Sequence, residues 1–213
     1  MICGVDEAGR GPVMGPLVVS SVYVEEDSAL REIGVRDSKK LSPRQRETMY
    51  DQIVEVAEDF SIVVLYADEI DHQMKFMNLN KIELAMFAEA ASKIPVDAVY
   101  ADCPDVDENR FTLELSEKVK GPNIIGKHKA DDIYPVVSAA SIIAKVTRDR
   151  LMKDIAETFG EDIGSGYPSD VVTMEFIRKW IYKNKEPPPH TRCSWEPVKK
   201  LLMLSNNTRI TDW

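Results

Sequence analysis

Two hydrophobic patterns alternate along the chain, one typical of strands and the other typical of helices. Short runs rich in β-branched residues, bounded by glycine, proline or polar residues, predict strands. Longer segments repeat apolar residues three and four positions apart, which is the spacing of one helix face. The strand pattern predicts five strands, at Ile2–Val5, Leu17–Val24, Phe60–Tyr66, Ala98–Ala101 and Asn123–Lys127.

The helical pattern fills the intervals between these strands and most of the C-terminal part of the chain. Ser42 is predicted to be an N-cap, with Pro43 at the first helical position. The segment from Ile133 to Phe159 reads either as one long helix or as two abutting ones. The predicted helices are Ser28–Gly34, residues 43–58, Leu79–Lys93, Asp107–Lys120, Ile133–Phe159, Val171–Tyr182 and Trp195–Leu204.

The order of these elements predicts the fold class. The first two strands are separated by a turn rich in glycine and proline, so they are expected to pair with each other. The later strands alternate with helices, which favours an α/β fold with a mixed five-stranded sheet and helices on both faces. We expect a catalytic domain over residues 1–183 and a C-terminal helical extension with a tail over residues 184–213.

Acidic residues lie at the ends of three predicted apolar segments. They follow two of these segments and precede the third. Asp6 and Glu7 come directly after the first strand, and Asp102 ends the fourth. Asp131 lies just before a long apolar helix. Strand-end side chains from different segments can converge in an α/β sheet, and a site built only from oxygen ligands suits Mg²⁺ or Mn²⁺. The alternative is that these acids are helix caps and solvated turn residues.

Asp6 and Glu7 are adjacent in the sequence, which limits how both could bind one ion. Neighbours on a regular strand point to opposite faces, so Asp6 and Glu7 can face one ion only if the strand ends or bulges there. The glycines of Gly9-Arg10-Gly11 favour an ending. Glycine also lets a backbone approach a ligand closely, although an ordinary tight turn explains the same residues.

Composition narrows the class of protein. The 213 residues suit one domain with a small addition, and the net charge of 27 − 36 = −9 argues against a surface that binds nucleic acid everywhere. A local basic groove stays possible because the charges are unevenly spread. Three cysteines without metal-binding spacing suit a reducing cytosol. The chain has no signal-peptide pattern and no apolar run long enough to span a membrane, so a cytoplasmic protein is expected.

Five collinear segments carry a family resemblance. They are GVDEAGRGPVMGPLVV (4–19), VRDSKKLS (35–42), YADCPDVD (100–107), KHKADDIYPVVSAASIIAKVTRDR (127–150) and GSGYPSD (164–170). In these segments the chain resembles ribonuclease H type 2, also called ribonuclease HII, in its single-chain archaeal form. The match is weakest beyond about residue 183, where only Arg192-Cys193-Ser194-Trp195 represents the usual basic-aromatic element.

The resemblance implies a fold, an activity and a metal site. The fold is ribonuclease-H-like with a C-terminal helical region. The activity is endonucleolytic cleavage of RNA in RNA–DNA duplexes and at single ribonucleotides embedded in DNA, which leaves 5′-phosphate and 3′-hydroxyl ends. The metal-site acids of the family correspond to Asp6, Glu7, Asp102 and Asp131, with Asp132 as an alternative to Asp131. They imply Mg²⁺ or Mn²⁺, with two ions during catalysis.

The resemblance also implies substrate contacts. Gly9-Arg10-Gly11 would sense the ribose 2′-hydroxyl, and Tyr167 would pack on the sugar that follows the ribonucleotide. Apart from the resemblance, the basic runs at 36–40 and 127–129 flank the acidic positions, which predicts that Lys39, Lys40 and Lys129 contact phosphates; the alternative is that these runs are solvated surface. Further candidates for phosphate contacts are Lys127, Lys145, Arg148 and Arg150.

Other predictions concern residues and partners outside this core set. Ser138 and Ser141, which lie among alanines, are interpreted as helix-packing residues. The glutamine-led C-terminal motif with which many family members dock on a sliding clamp is not evident in residues 206–213. Nothing in the chain requires a partner subunit, so a monomer is expected. Two rival interpretations are a non-catalytic nucleic-acid-binding module and a Mg²⁺-dependent hydrolase of small phosphate esters.

Overall fold

The computed structural model describes residues 1–35 and 41–207, with side chains described as far as Ser205. Within this part of the chain, five strands form one sheet in the order β3-β2-β1-β4-β5. β1 pairs antiparallel with β2 and parallel with β4, and β4 pairs parallel with β5, which confirms the predicted mixed sheet. The strands are β1 (Ile2–Ala8), β2 (Leu17–Val24), β3 (Asp59–Leu65), β4 (Ala98–Asp102) and β5 (Asn123–Lys127).

Helices occupy most of the remaining described residues. Ser42 caps the second helix in both directions, since its hydroxyl accepts from Gln45 N–H and its own N–H donates to the Gln45 side chain. The described helices are α1 (Ser28–Glu32), α2 (Pro43–Val56), α3 (Ala67–Gln73), α4 (Leu79–Ala91), α5 (Glu108–Lys118), α6 (Ala130–Ile133), α7 (Pro135–Phe159), α8 (Val171–Asn184) and α9 (Glu196–Asn207).

The helices depart from the sequence-based expectation at two places along the chain. The short helix α3 was missed because its segment is acidic and lacks a continuous apolar face. The segment after β5 forms two helices, α6 and α7, which separate at Tyr134. Pro135 begins α7, where its missing N–H removes no intrahelical hydrogen bond.

Helices cover both faces of the sheet, as the order of elements predicted. Ser20 and Ser21 are neighbours on β2 and therefore point to opposite faces. The Ser20 hydroxyl donates to the carbonyl of Ala140 in α7 at 2.6 Å, whereas the Ser21 hydroxyl donates to the carbonyl of Ala90 in α4 at 2.7 Å. Both serines are fully buried, so α7 lies against one face and α4 against the other.

The chain divides into two compact units, each with its own apolar core. The sheet unit comprises Met1–Ala8, Val18–Val64 and Asn78–Arg148, and the helical unit comprises Gly9–Leu17, Leu65–Met77 and Asp149–Trp213. The first core includes residues of β2, α2 and α7, and the second is built largely from α8, α9 and the end of α7. The boundary expected between residues 183 and 184 stays a prediction. Among the described residues, no helix is both long and apolar enough to cross a membrane.

A close approach between β1 and α7 positions the residues discussed below. A Cβ atom at Gly4 would lie 2.2 Å from the carbonyl oxygen of Val136 and 2.6 Å from the nitrogen of Val137. Only glycine therefore permits the first turn of α7 to pack on the backbone of β1. This contact brings the buried face of α7 to the strand that carries Asp6 and Glu7.

Candidate active site

Three carboxylates meet near the C-terminal ends of the adjacent strands β1 and β4. β1 and β4 run parallel, and Val5 pairs with Ala101, so the next residues, Asp6 and Asp102, lie side by side. Asp6, Glu7 and Asp102 each place one carboxylate oxygen within 4.8 Å of the others. Asp6 is 4% exposed, and the other two are half-buried. The ends of β1 and β4 thus bring three acids together in a space suited to a cation.

The way in which Asp6 and Glu7 meet differs from the expectation. β1 neither ends nor bulges at these acids, because Asp6 pairs with Ser20 and Glu7 with Val19 in an unbroken register. The Glu7 N–H donates to Asp6 Oδ1 at 2.7 Å, so the Asp6 carboxylate leans along the strand toward Glu7. The expected strand end was wrong because this local hydrogen bond brings the two side chains together without a change in the backbone.

The fourth predicted acid, Asp131, lies on α6 beside the group of three. The N–H of Ala130 donates to Asp102 Oδ1 at 2.7 Å, which ties the start of α6 to the end of β4. Lys129 precedes it in a left-handed conformation with φ of 55°. Asp131 is 5% exposed, whereas Asp132 is exposed. The described group within 4.8 Å contains neither of them.

Burial and neighbouring charges set the protonation of Asp6. Burial raises the pKa of Asp6 to about 6, and the negative charge of Asp131 adds to the rise. A hydrogen bond with Ser141, the positive charge of Lys145 and the N–H of Glu7 oppose it. Because burial outweighs these opposing contacts, Asp6 is harder to ionise than an ordinary aspartate.

Ser141 and Lys145 form a chain of contacts that ends at Asp6. They are four residues apart in α7 and share one face of it. Lys145 Nζ donates to Ser141 Oγ at 2.8 Å, and a serine hydroxyl has one proton to donate, so Ser141 directs that proton to the Asp6 carboxylate. The interpretation of Ser141 as a packing residue missed this contact. Its spacing from Lys145 was the available signal.

The turn after β5, which leads to Asp131, is held by the Glu108 carboxylate and the backbone carbonyl of Asp105. Glu108 accepts from His128 N–H at 2.7 Å and pairs with Lys127 at 3.0 Å. His128 Nε2 lies 2.7 Å from the carbonyl oxygen of Asp105; because a carbonyl only accepts, Nε2 carries the proton. The Asp105 side chain in turn pairs with Arg110. His128 therefore supports the turn structurally.

The predicted sugar-recognition residues come together within the helical unit. The N–H groups of Val13 and Met14 both donate to the carbonyl of Gly166, at 2.8 and 3.2 Å. This joins the chain after Gly9-Arg10-Gly11 to the loop that carries Tyr167. A Cβ atom at Gly11 would lie 3.7 Å from Tyr167 Cε1, and Tyr167 is 40% exposed. An accessible aromatic ring thus borders the turn.

The predicted phosphate contacts lie in different environments. Lys129 is exposed, whereas Lys39 and Lys40 lie outside the described residues. The remaining candidates are already engaged or differ in exposure: Lys127 pairs with Glu108, Lys145 donates to Ser141, Arg148 is buried and Arg150 is exposed.

Comparison with known proteins identifies the family. The family model described as Ribonuclease HII matches residues 3–198. The chain belongs to the ribonuclease HII family. It is 48% identical over 205 residues to a ribonuclease HII of Thermococcus kodakarensis, an alignment that covers 94% of this chain and 89% of the relative.

Solved structures of similar proteins support the fold. The crystal structure of ribonuclease H2 from Pyrococcus horikoshii OT3 matches with a TM-score of 0.90 and 38% identity, over 96% of this chain and 98% of that one. The ribonuclease HII in a PCNA complex from Archaeoglobus fulgidus matches with a TM-score of 0.88 and 39% identity, over 94% and 96% of the two chains. The predicted ribonuclease-H-like fold is confirmed.

Family membership decides the class of activity. The protein is a ribonuclease H, an endoribonuclease that acts on RNA–DNA hybrids, and cleavage at ribonucleotides within DNA is typical of its family. The family depends on a divalent metal, and an acidic group is present in this chain. An enzyme of this class is neither a non-catalytic binding module nor a hydrolase of small phosphate esters.

Proposed function

We propose that Asp6, Glu7, Asp102 and Asp131 hold the divalent metal with which this ribonuclease H cleaves RNA–DNA hybrids and single ribonucleotides in duplex DNA. The metal is Mg²⁺ or Mn²⁺, with two ions during catalysis, and the products carry 5′-phosphate and 3′-hydroxyl ends. The observation that carries this proposal is the meeting of three carboxylates within 4.8 Å, one of them buried.

The donor set fits such an ion. Carboxylate oxygens are the ligands that Mg²⁺ and Mn²⁺ prefer. The raised pKa of Asp6 reflects burial together with the charge of Asp131, and a bound cation would relieve both costs. When bound, the metal supplies positive charge that activates water and stabilises the leaving oxygen of a phosphodiester.

The protein's own contacts orient the ligands. The Glu7 N–H and the Ser141 hydroxyl act on the Asp6 carboxylate, and the Ala130 N–H holds Asp102. Such contacts to ligand side chains typically change metal affinity or activity by ~10–100-fold when they are removed. We therefore assign these groups the task of fixing the directions in which Asp6 and Asp102 present their oxygens.

Burial favours Asp131 over Asp132 as the fourth acid. Asp131 is 5% exposed and lies close enough to Asp6 for its charge to raise the Asp6 pKa. Asp132 is exposed and makes no such contribution among those identified for Asp6.

Substrate recognition is assigned to the glycine-arginine turn and its neighbours. Gly9-Arg10-Gly11 senses the ribose 2′-hydroxyl, the group that distinguishes RNA from DNA, and Tyr167 packs on the adjoining sugar. The proximity of Tyr167 to Gly11, where an added Cβ atom would lie 3.7 Å from Tyr167 Cε1, supports a shared role. Lys39, Lys40 and Lys129 contact phosphates, which position a duplex without reading its sequence.

We propose that the protein acts as a cytoplasmic monomer. The Archaeoglobus relative was solved in a complex with PCNA. Residues 206–213 of this chain lack a glutamine-led motif, and residues 208–213 lie outside the described part.

A matched pair of variants tests the metal site. The substrate is a DNA duplex with one ribonucleotide, incubated with Mg²⁺, with Mn²⁺ or with a chelator. We expect cleavage only with metal, a loss of at least ~100-fold in Asp131→Asn, and a rate within a few-fold of wild type in Asp132→Asn, which changes the adjacent carboxylate in the same way.

Two results would contradict the proposal at different points. Cleavage that is absent with both metals would overturn the proposed function. Equal losses in the two variants would contradict the preference for Asp131 but not the proposed function. Full activity in Asp102→Asn would remove Asp102 from the metal site.

A further inference from the structure

Arg192 is a fully buried arginine whose guanidinium reaches the glycine-arginine turn. Its side chain is 0% exposed. Nη2 donates to the Gly9 carbonyl at 2.7 Å, Nη1 to the Arg10 carbonyl at 3.2 Å, and Nε to the Gly15 carbonyl at 3.0 Å. These residues all belong to the helical unit. One side chain thus bonds two consecutive peptide groups of the turn and a third just beyond it.

The guanidinium suits this task for geometric reasons. It is planar and carries five N–H donors in fixed directions, so it can bond several carbonyls at once without changing shape. Its face lies over the ring of Trp195, 4.9 Å from the centroid, which restricts it further. A lysine ammonium is a single point of donation and could not reproduce this arrangement.

The segment that carries Arg192 is itself anchored. The Arg192 N–H donates to the Val13 carbonyl at 2.8 Å, and the Gly15 N–H donates to the His190 carbonyl at 2.8 Å. Asp71 accepts from the N–H groups of Cys193 and Ser194, at 2.6 and 3.0 Å. The guanidinium is therefore presented from backbone that is fixed at both ends.

Because the peptide group is planar, these hydrogen bonds also fix the direction of the neighbouring N–H groups. In a trans peptide, the carbonyl of one residue and the N–H of the next point in opposite directions. Because Arg192 holds the carbonyls of Gly9 and Arg10, the N–H groups of Arg10 and Gly11 must point away from the buried guanidinium. Gly11 lies on the exposed side of the turn, where Tyr167 also lies.

We propose that Arg192 is a positioning residue for sugar recognition, which fixes the peptide groups of Gly9-Arg10-Gly11 in the orientation that distinguishes ribose from deoxyribose. This inference rests on the proposed function of that turn. A site built to hydrogen-bond a hydroxyl rejects the analogue that lacks it only if its donors are held in place. Loosening the turn should therefore reduce discrimination between the two sugars more than it reduces affinity for DNA.

The test measures discrimination directly. Dissociation constants are determined by fluorescence anisotropy, with metal chelated, for a DNA duplex with one ribonucleotide and for the same duplex made only of DNA. We expect wild type to bind the first more tightly, and Arg192→Lys to bring the ratio of the two constants at least ~5-fold closer to one. Arg178→Lys is the matched control, because Arg178 is an exposed arginine of the same unit that pairs with Glu175; its ratio should equal that of wild type.

A second variant keeps the test decisive if Arg192→Lys does not fold, as judged by circular dichroism. Asp71→Ala removes the anchor of residues 193 and 194 without changing Arg192 or the turn, and we expect it to lower the ratio by a smaller factor. A folded Arg192→Lys with the wild-type ratio, or an equal loss of affinity for both duplexes, would overturn the assignment to Arg192. If Arg192→Lys is unfolded, a wild-type ratio in Asp71→Ala overturns it. A wild-type protein without any preference would instead overturn the proposed role of the turn.

Discussion

The carboxyl group of Asp6 is buried, yet it must be ionised to bind a metal. In the metal-free protein its pKa is about 6, compared with an ordinary value of 3.8, chiefly because burial penalises the charged form. Between these two values the folded state holds a proton that the unfolded state has lost. The free energy of unfolding of the metal-free protein should therefore fall as pH rises through this window, and stay lowered above it.

The variant Asp6→Asn tests how far the buried charge of Asp6 lowers the free energy of unfolding. Asparagine keeps an oxygen that can accept from Glu7 N–H and Ser141 but carries no charge. At pH 7, without metal, we expect the variant to be more stable than wild type by on the order of 3 kcal/mol, and at pH 4 by much less. Chemical denaturation at both pH values, with a chelator present, gives the comparison.

Metal provides the control for Asp6→Asn. Mg²⁺ should stabilise wild type at pH 7, since it binds the folded state, and should stabilise the variant far less. If the metal-free variant is no more stable than wild type at pH 7, the burial cost assigned to Asp6 is wrong.

At the residue scale, the sequence indicates the acids proposed to bind metal more clearly than the residues that hold the site in place. Asp6, Glu7 and Asp102 could be proposed because they directly follow short apolar runs, which are visible in the sequence itself. The sequence presents Ser141 as a helix-packing residue and Arg192 only as part of a family element. Their roles depend on hydrogen bonds to residues 135 to 183 positions away, which no local pattern records.

The strand β1 and the helix α7 together form the structural base of the site. β1 carries Asp6 and Glu7, and α7 carries Ser141 and Lys145. Gly4 permits their close approach, because any side chain there would collide with the backbone of Val136. The spacing of these two elements should therefore control both stability and metal binding.

Gly4→Ala tests that spacing. The added methyl group cannot be accommodated by a rotamer change, since the nearest atoms are backbone. We expect a loss of ~3 kcal/mol or more in the free energy of unfolding, together with weaker Mg²⁺ binding by calorimetry. Gly160→Ala is the control: nothing lies within 4 Å of its Cβ position, but its φ is +68°, so it should cost only the ~1–2 kcal/mol of a left-handed alanine.

Equal costs for the two glycine variants would contradict the packing argument. Unchanged metal affinity in Gly4→Ala would show that the contact between β1 and α7 matters for folding but not for the site.

At the element scale, the hydrophobic pattern predicted all five strands of the described sheet and most helices. It placed β2 and β5 at their observed bounds. Each begins directly after a proline, Pro16 or Pro122, which cannot donate a hydrogen bond to a strand ladder. It ended β1 three residues early, since Asp6 and Glu7 are poor strand formers that pairing with β2 retains in the sheet. It also missed α3, whose stability depends on tertiary contacts of Ala67 and Ile70, both buried.

The whole molecule carries a net charge of −9, yet its substrate is a polyanion. Overall repulsion must be overcome by local positive charge, so binding should depend on a small number of lysines and arginines rather than on the average surface. Each phosphate neutralised by such a residue releases counterions and contributes about −0.9 to the slope of log affinity against log salt. The slope therefore reports the number of phosphate contacts, which the net charge does not reveal.

Lys39 and Lys40 are the residues to test at this scale, because the sequence predicts that both contact phosphates. For the double variant Lys39→Gln, Lys40→Gln, we expect the magnitude of the slope to fall by about 1.8. The ratio of affinities for ribonucleotide-containing and all-DNA duplexes should stay at its wild-type value, since phosphate contacts carry no information about the sugar. Lys120→Gln changes an exposed lysine with no predicted contact and should leave the slope unaltered. An unaltered slope in the double variant would exclude both lysines from the duplex interface.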